Sequence, residues 1–335
     1  MRTRPGAQRG IALITALMIV AIAAAIAAKI AFAHQIWFRQ MENVSDRGAT
    51  DLLRRGALHW ASVALLEDAA QNSIDHLGEA WAMGLPTLPV EGGAIKVSIE
   101  DAQGRFNLNN LVQNNAKSQP GDFDVFQRLL VELRLDPNLA NALVDWIDAD
   151  SNVTSPGGAE DNDYLLLKTP YRAANQPLTS VDELRLVKGF DARTVQTLLP
   201  FVTVLPGGRT PINANTASPE LLAALANMDL AWAQRVVENR REKPMQNPGD
   251  FTRQLPPKTQ LQSPADVKTS FFLITLDTSI GRHQRRTVAL MQRDAGSKST
   301  SWIWHKPEPL IDALTSASSG GSQASGATDE IDQLQ

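Results

Sequence analysis

The sequence predicts an α+β fold: a long N-terminal helix packed on a small antiparallel sheet, with a large all-helical insertion interrupting that sheet. Three observations carry this reading. Past the apolar opening, the chain runs without proline until Pro86. Strand-like alternation appears near Ala94 and returns only after Ser270, whereas apolar residues between these points recur at helical spacing. One strand and one later hairpin are each too little sheet to stand alone, so they belong together.

The opening "GIALITALMIVAIAAAIAAKIAFAHQ" begins the first element. From Ile11 to Ala33 only Thr15 and Lys29 are polar, and as a helix this stretch spans about 34 Å, enough for a hydrocarbon core of ~30 Å. Arg2, Arg4 and Arg9 hold the preceding end on the cytoplasmic side. "AFA" before His34 fits a secretory cleavage site, yet the apolar run exceeds the ~7–15 residues of such a signal. Apolar residues then continue at Trp37, Met41, Val44, Leu52, Ala57, Trp60 and Ala64, mostly three or four apart. A single retained helix, leaving the membrane as an amphipathic stem, accounts for both halves.

A segment with Pro86 and Pro89 ends the stem, and "AIKVSIE" reads as a strand over Ala94–Glu100 with a turn at Gln103–Gly104. Stem and first strand occupy 34–105. The helical insertion, 106–265, contains "FDVFQRLLVELRL", "PNLANALVDWIDAD", "ARTVQTLLPFV", "SPELLAALANM" and "AWAQRVVENRREK". Ser180 and Ser218 precede acidic first turns and are expected N-caps. Strands return over 266–306 as a hairpin around Gly281, with "SWIWH" as a further short strand. The Ser/Gly/Ala-rich remainder, 307–335, is expected to be disordered.

Composition excludes several functions. The net charge of −4 gives no overall attraction to nucleic acid or an anionic membrane surface. The absence of cysteine excludes disulfides, thiolate metal sites and a cysteine nucleophile. His34, His59, His76, His283 and His305 are scattered without ligand or triad spacing, and "GGRTP" at Gly207 lacks the phosphate-loop pattern. No enzyme is expected.

The strongest polar cluster is "VDWIDADSNVTSPGGAEDNDY". Asp148 and Asp150 lie on one side of the Gly157–Gly158 turn, and Glu160, Asp161 and Asp163 on the other. Folding that turn gathers hard oxygen ligands, which select calcium or magnesium, and a flexible glycine-containing loop favours calcium. The spacing Asp148–Asp150–Asn152 starts like an EF-hand, but Val153 stands where glycine is required and Glu160 comes one residue late. A different calcium loop and a merely solvated acidic loop, with Asp145 and Asp148 as caps, both remain open.

A second pattern, "INANTASPELLAALANMDLAWAQRVVENRREK", is similar to helix-hairpin-helix units, whose glycine-rich hairpins approach phosphate through backbone amides. Here the hairpin "ANMDLA" has no glycine and carries Asp229, and basic residues are confined to "RREK". A packing module is preferred, and a membrane-anchored helix-hairpin-helix DNA-binding protein is the alternative.

The basic leader, glycine and abrupt apolar helix resemble a type IV prepilin signal cut between Gly10 and Ile11. Together with "GRFNLNNL", "VDWIDAD", "GAED", "YRAANQPL" and "INANTASPELLAAL", in that order, the chain resembles the minor pseudopilin K family of type II secretion systems. The resemblance implies a pilin-like fold, leader removal by prepilin peptidase with N-methylation, and calcium in the insertion. It further implies a non-catalytic place at the pseudopilus tip with minor pseudopilins I and J. The anchor would lie in the inner membrane, the remainder in the periplasm beside the secretion machinery. Most pilins carry glutamate at the fifth mature residue to pair with a neighbouring amine; here that position is Thr15, a peculiarity that this family shares.

Overall fold

The computed structural model describes residues 9–113, 116–117, 120–294 and 296–308. The leader before Arg9 and the tail beyond Glu308 lie outside the described residues.

Helix α1, Arg9–Gln71, is one uninterrupted element of 63 residues, about 95 Å long at 1.5 Å per residue. Its first half touches nothing else: Ile11, Leu17, Ile19 and Phe32 are each more than 60 % exposed. That half is apolar enough to cross a bilayer, with a mean hydropathy of 2.8 over its best window. The second half buries Leu58, Ala61 and Leu65 at helical spacing against a sheet.

The sheet has five antiparallel strands in spatial order β1–β5. They are β1 Leu88–Val90, β2 Gly93–Asp101, β3 Phe271–Ile280, β4 His283–Asp294 and β5 Ser299–Glu308. Alternate residues build the face under α1. Ile95, Val97 and Ile99 of β2 pair with Thr278, Leu276 and Ile274 of β3, and Ala289 and Met291 of β4 extend the same apolar layer. Gly281, at φ 53°, supplies the left-handed residue between β3 and β4. The short "SWIWH" strand of the sequence reading is in fact a ten-residue strand, which runs into the stretch expected to be tail.

The chain leaves the sheet after β2 and rejoins it beside β2 at β3, so everything between is an insertion. Its helices are α2 Pro120–Glu132, α3 Leu139–Ile147, α4 Asp161–Leu165, α5 Ala192–Leu198, α6 Pro219–Ala226, α7 Leu230–Glu242 and α8 Pro248–Arg253. One core, with Phe106, Phe126, Leu143, Ile147, Leu222 and Phe251 among its members, joins them. The insertion also carries two-residue strand pairs, Phe106–Asn107 with Val202–Thr203 and Ile212–Asn213 with Ala265–Asp266. These parallel bridges are too short to leave a period in the sequence.

Polar residues stitch the insertion shut. Asn107 Oδ1 accepts from Leu205 N–H at 3.0 Å, Asn109 Nδ2 donates to Leu178 O and Leu205 O at 3.1 Å, and Asn110 Nδ2 donates to Thr210 O at 2.9 Å. The motif "FNLNNL" thus satisfies buried backbone groups of distant segments. Ser180 and Ser218 cap their helical turns through Asp182 N–H and Leu221 N–H, both at 3.2 Å.

Gly93 tests the β2–β3 seam, because a Cβ there would overlap the backbone carbonyl of Ser279. Gly93→Ala should lower stability by about 1–3 kcal/mol. Gly48→Ala on the open face of α1, where a Cβ meets nothing, should leave it unchanged or raise it by up to about 1 kcal/mol. Thermal unfolding of the two variants checks both outcomes.

Candidate metal centre

Helix α3 is buried along its whole length and brings Asp145 and Asp148 to its C-terminal end, both fully inaccessible to solvent. The loop beyond it doubles back. Thr154 N–H donates to Asp145 Oδ2 at 2.9 Å, Asn141 Nδ2 to Pro156 O at 2.8 Å, and Gly158 N–H to Thr154 O at 2.8 Å. Gly157 sits at φ 89°, and a Cβ on Gly158 would collide with Asp145 Oδ2 and Thr154 O. The glycine pair therefore permits both the turn and the close approach.

The fold-back delivers Glu160 to Asp148 and Asp150. One carboxylate oxygen from each of these three residues lies within 4.8 Å of the others. Glu160 is 3 % exposed, and neither of its oxygens has a hydrogen-bond partner; Asp145 Oδ1 is buried in the same condition. Burial, then the charges of Asp145, Asp148, Asp150 and Asp161, push the Glu160 carboxyl up to about 7. Convergent carboxylate oxygens, buried on Asp148 and Glu160 and open to solvent on Asp150, are the donor set that a hard divalent cation takes. These residues fit calcium.

Of the five residues expected from the sequence, the fold brings these three together and engages the other two nearby. Asp161 Oδ1 accepts from Ala173 N–H at 3.0 Å, and Arg172 lies 3.6 Å from its Oδ2. Asp163 accepts from Lys188 Nζ at 2.8 Å, which holds its carboxyl below the usual range, and from Glu160 N–H at 3.3 Å. Asp145, a cap in the solvated-loop alternative, lies beside the cluster, where its charge acts on Glu160 and its Oδ2 accepts from Thr154 N–H. Its i, i+3 relation to Asp148 was the legible sign.

Aromatic residues tie the loop to the rest of the insertion. Trp146 meets Tyr164 edge-on at 5.1 Å, and Tyr164 stacks on Tyr171 at 5.4 Å. Tyr171 Oη donates to Leu186 O at 2.9 Å, and Tyr164 Oη accepts from Lys188 N–H at 3.3 Å. "DNDY" and "YRAANQPL" are therefore parts of one assembly.

Comparison with known proteins reaches the same residues. Descriptions of "Type II secretion system (T2SS), protein K" match residues 104–207 and 212–270, which include the acidic loop and the α6–α7 pair. Type II secretion system protein K of Pseudomonas aeruginosa is 37 % identical, covering 87 % of this chain and 90 % of its own length. The chain belongs to the type II secretion system protein K family. Its counterpart from Pectobacterium carotovorum subsp. carotovorum is 33 % identical, over 90 % of this chain and 99 % of that one. Among solved structures, a chain of the GspK–GspI–GspJ complex from the enterotoxigenic Escherichia coli type 2 secretion system superposes with a TM-score of 0.72 and 28 % identity. That match covers 81 % of this chain and 99 % of the other.

Membership gives the DNA-binding alternative no support, and the geometry agrees. Asn227, in the left-handed region at φ 47°, replaces the hairpin glycine, and Asp229 caps α7 through Ala231 N–H at 2.8 Å. Arg240 of "RREK" is buried and donates to Ala214 O at 2.6 Å, so it is spent inside the protein K fold.

The Glu160 carboxyl, raised in the folded chain, holds a proton there that the unfolded chain has released. The metal-free fold therefore loses stability as pH rises from the ordinary glutamate value of 4.5 through about 7. Adding calcium should relieve this loss, so the gain in melting temperature on adding calcium should grow across that window. In chelator, Glu160→Gln should melt above wild type at about pH 8. A calcium effect equal at low and high pH would contradict the assignment of Glu160.

Proposed function

We propose that this chain is a non-catalytic minor pseudopilin at the tip of the type II secretion pseudopilus, where it initiates or caps the fibre with minor pseudopilins I and J. The observation that carries this reading is the shape of the chain. A bare apolar half-helix continues into a pilin-like stem and sheet, and a large insertion leaves from between two adjacent strands. A stem alone stacks into a fibre; a stem crowned by an insertion of this bulk obstructs a subunit above it. The GspK–GspI–GspJ complex that contains the matching chain supports the choice of partners.

Position 15 supports an end place as well. Thr15 Oγ1 donates back to Ile11 O and Ala12 O, at 3.1 and 3.0 Å, and offers no carboxylate to a neighbour's amine. In the proposal, prepilin peptidase cuts between Gly10 and Ile11 and removes Arg2, Arg4 and Arg9. The run from Ile11 stays in the inner membrane, and the sheet and insertion stand in the periplasm beside the secretion machinery. Calcium, held by Asp148, Asp150 and Glu160 with Asp145 behind them, would neutralise the buried charge and fix the insertion's loop. Asp161 and Asp163 then hold the loop from its flank.

Coexpression with minor pseudopilins I and J tests the reading. A ternary complex should purify, and the mature chain should start at Ile11 by intact mass. Gly10→Val should leave the leader attached. Failure to associate with either pseudopilin would sink the tip assignment, and unchanged maturation of Gly10→Val would sink the cleavage site. Asp150→Ala combined with Glu160→Ala should abolish most of the thermal gain that calcium gives, without unfolding the sheet. Identical melting with calcium and with chelator in wild type would reduce the cluster to a solvated loop.

A further inference from the structure

The turn after the stem, residues 72–83, reaches into both halves of the molecule. Ile74 lies in the insertion's core, while Trp81 packs edge-on against Phe272 in the stem–sheet core, with ring centroids 5.3 Å apart. Its backbone is tied to the segment returning from the insertion. Asp75 N–H donates to Val267 O at 2.8 Å, Thr269 N–H to Asp75 Oδ2 at 2.8 Å, and Asn213 Nδ2 to Asp75 O at 3.1 Å. The turn is the bracket that fastens the insertion to the stem.

Three buried ionisable side chains, Asp75, Glu79 and Arg293, meet at that bracket, with Asp68 half-buried beside them. Arg293 of β4 donates to Asp68 of α1 at 3.1 Å and to Asp75 at 2.5 Å, and also to Leu65 O and Thr269 O at 3.1 Å. Its guanidinium lies 4.7 Å from the centre of the Phe272 ring. Glu79 accepts from Trp81 Nε1 at 2.6 Å, His76 N–H at 3.1 Å and Asn72 Nδ2 at 3.2 Å. One oxygen from each of Asp68, Asp75 and Glu79 falls within 4.8 Å of the others.

The charge does not balance. The groups around Glu79 are Asp68 from α1, Asp75 and His76 from the turn, and Arg293 from β4, with Asp101 of β2 acting on Asp75 from behind. Arg293 is one permanent cation among three carboxylates. His76 Nε2 stands 3.8 Å from Glu79 Oε1, but burial lowers its pKa, so it supplies no second cation near neutrality. Burial raises the Glu79 carboxyl to about 7 against the hydrogen bonds from His76 N–H and Trp81 Nε1, which favour its ionised form, and the charges of Asp68 and Asp75 add to the rise.

We propose that this bracket is a proton-sensitive lock, which holds the insertion rigidly on the stem when Glu79 is protonated and loosens when Glu79 ionises. Ionising Glu79 adds one more carboxylate charge beside Asp68 and Asp75, whose own ionisation burial already opposes, against the single cation of Arg293. The direction follows from linkage. The folded chain binds a proton on Glu79 that the unfolded chain has released, so this contribution is lost as pH rises through about 7. His76 acts with the opposite sign, toward lower pH.

The chain has no cysteine, so two introduced cysteines can be labelled uniquely. His59→Cys on the exposed side of α1 and Lys243→Cys at the end of α7 place spin labels on stem and insertion. The full chain, in detergent micelles with saturating calcium to hold the acidic loop constant, is measured by pulsed electron resonance from about pH 5.5 to about pH 8.5. The distance distribution should be narrow at the acid end and broaden as pH passes about 7. Glu79→Gln should remain narrow throughout. Asp68→Asn should also stay narrow, since with Glu79 ionised it leaves the charge balance of the locked wild type, and it keeps the test decisive if the glutamine variant does not fold. A wild-type distribution that ignores pH, or broadening that persists in either folded variant, would overturn the lock.

Discussion

The pairing of β2 with β3 is the constraint on which the rest of the architecture depends. Adjacent antiparallel strands register residue by residue, from Gly93 against Ile280 to Asp101 against Phe272. Everything between them must therefore leave and return at the same edge of the molecule. An insertion that meets this condition has its termini side by side, and its own core can close around them without disturbing the sheet. The strand pairs Phe106–Asn107 with Val202–Thr203 and Ile212–Asn213 with Ala265–Asp266 act as clasps at that neck. The asparagines of "FNLNNL" and "INAN" then satisfy the backbone groups that such a neck buries.

Much of this was legible in the sequence because it depends on periodicity and on unambiguous punctuation. The proline-free run after Ala33, the alternation of "AIKVSIE" and the hairpin at Gly281 each carry a period or a turn residue that points one way. Ser180 and Ser218 were legible as caps for the same local reason. What sequence could not supply was contact between distant residues. Asp145 looks like a helix-end carboxylate until Gly158 brings Thr154 against it. The partners of Asp161 and Asp163, namely Ala173, Arg172 and Lys188, likewise leave no trace in the spacing. The bracket at residues 72–83 left no motif, because its partners are drawn from α1, β4 and the insertion's return.

The two halves of α1 show how a single helix serves two solvents. From Ile11 onward its side chains face outward on every side, as suits a bilayer or a sheath of other helices. From about Leu58 onward only one stripe is apolar and buried, against the sheet. No break separates these regimes, so a force or displacement at the apolar end is carried along a continuous helix to Asp68. There it meets Arg293, and through Arg293 the turn that holds the insertion.

Two buried acidic clusters in the chain meet the same electrostatic difficulty by different means. At the bracket the fold supplies Arg293, whose fork reaches Asp68 and Asp75 together. At the loop after α3, Arg172 and Lys188 pair with Asp161 and Asp163 on its flank. Among the described residues no lysine or arginine pairs with Glu160, whose oxygens are buried without partners. A carboxylate in that position has two remedies, a proton or an external cation. The upward shift of Glu160 is the signature of the first, and the convergence of Asp148 and Asp150 on it is the geometry of the second. Hydrogen bonds from Thr154, Asn141 and Gly158 already fold the loop, and a cation at the proposed site would add a tie between Asp148, Asp150 and Glu160. Under the proposed calcium site the loop takes its compensation from outside the chain, whereas the bracket draws on Arg293 within it.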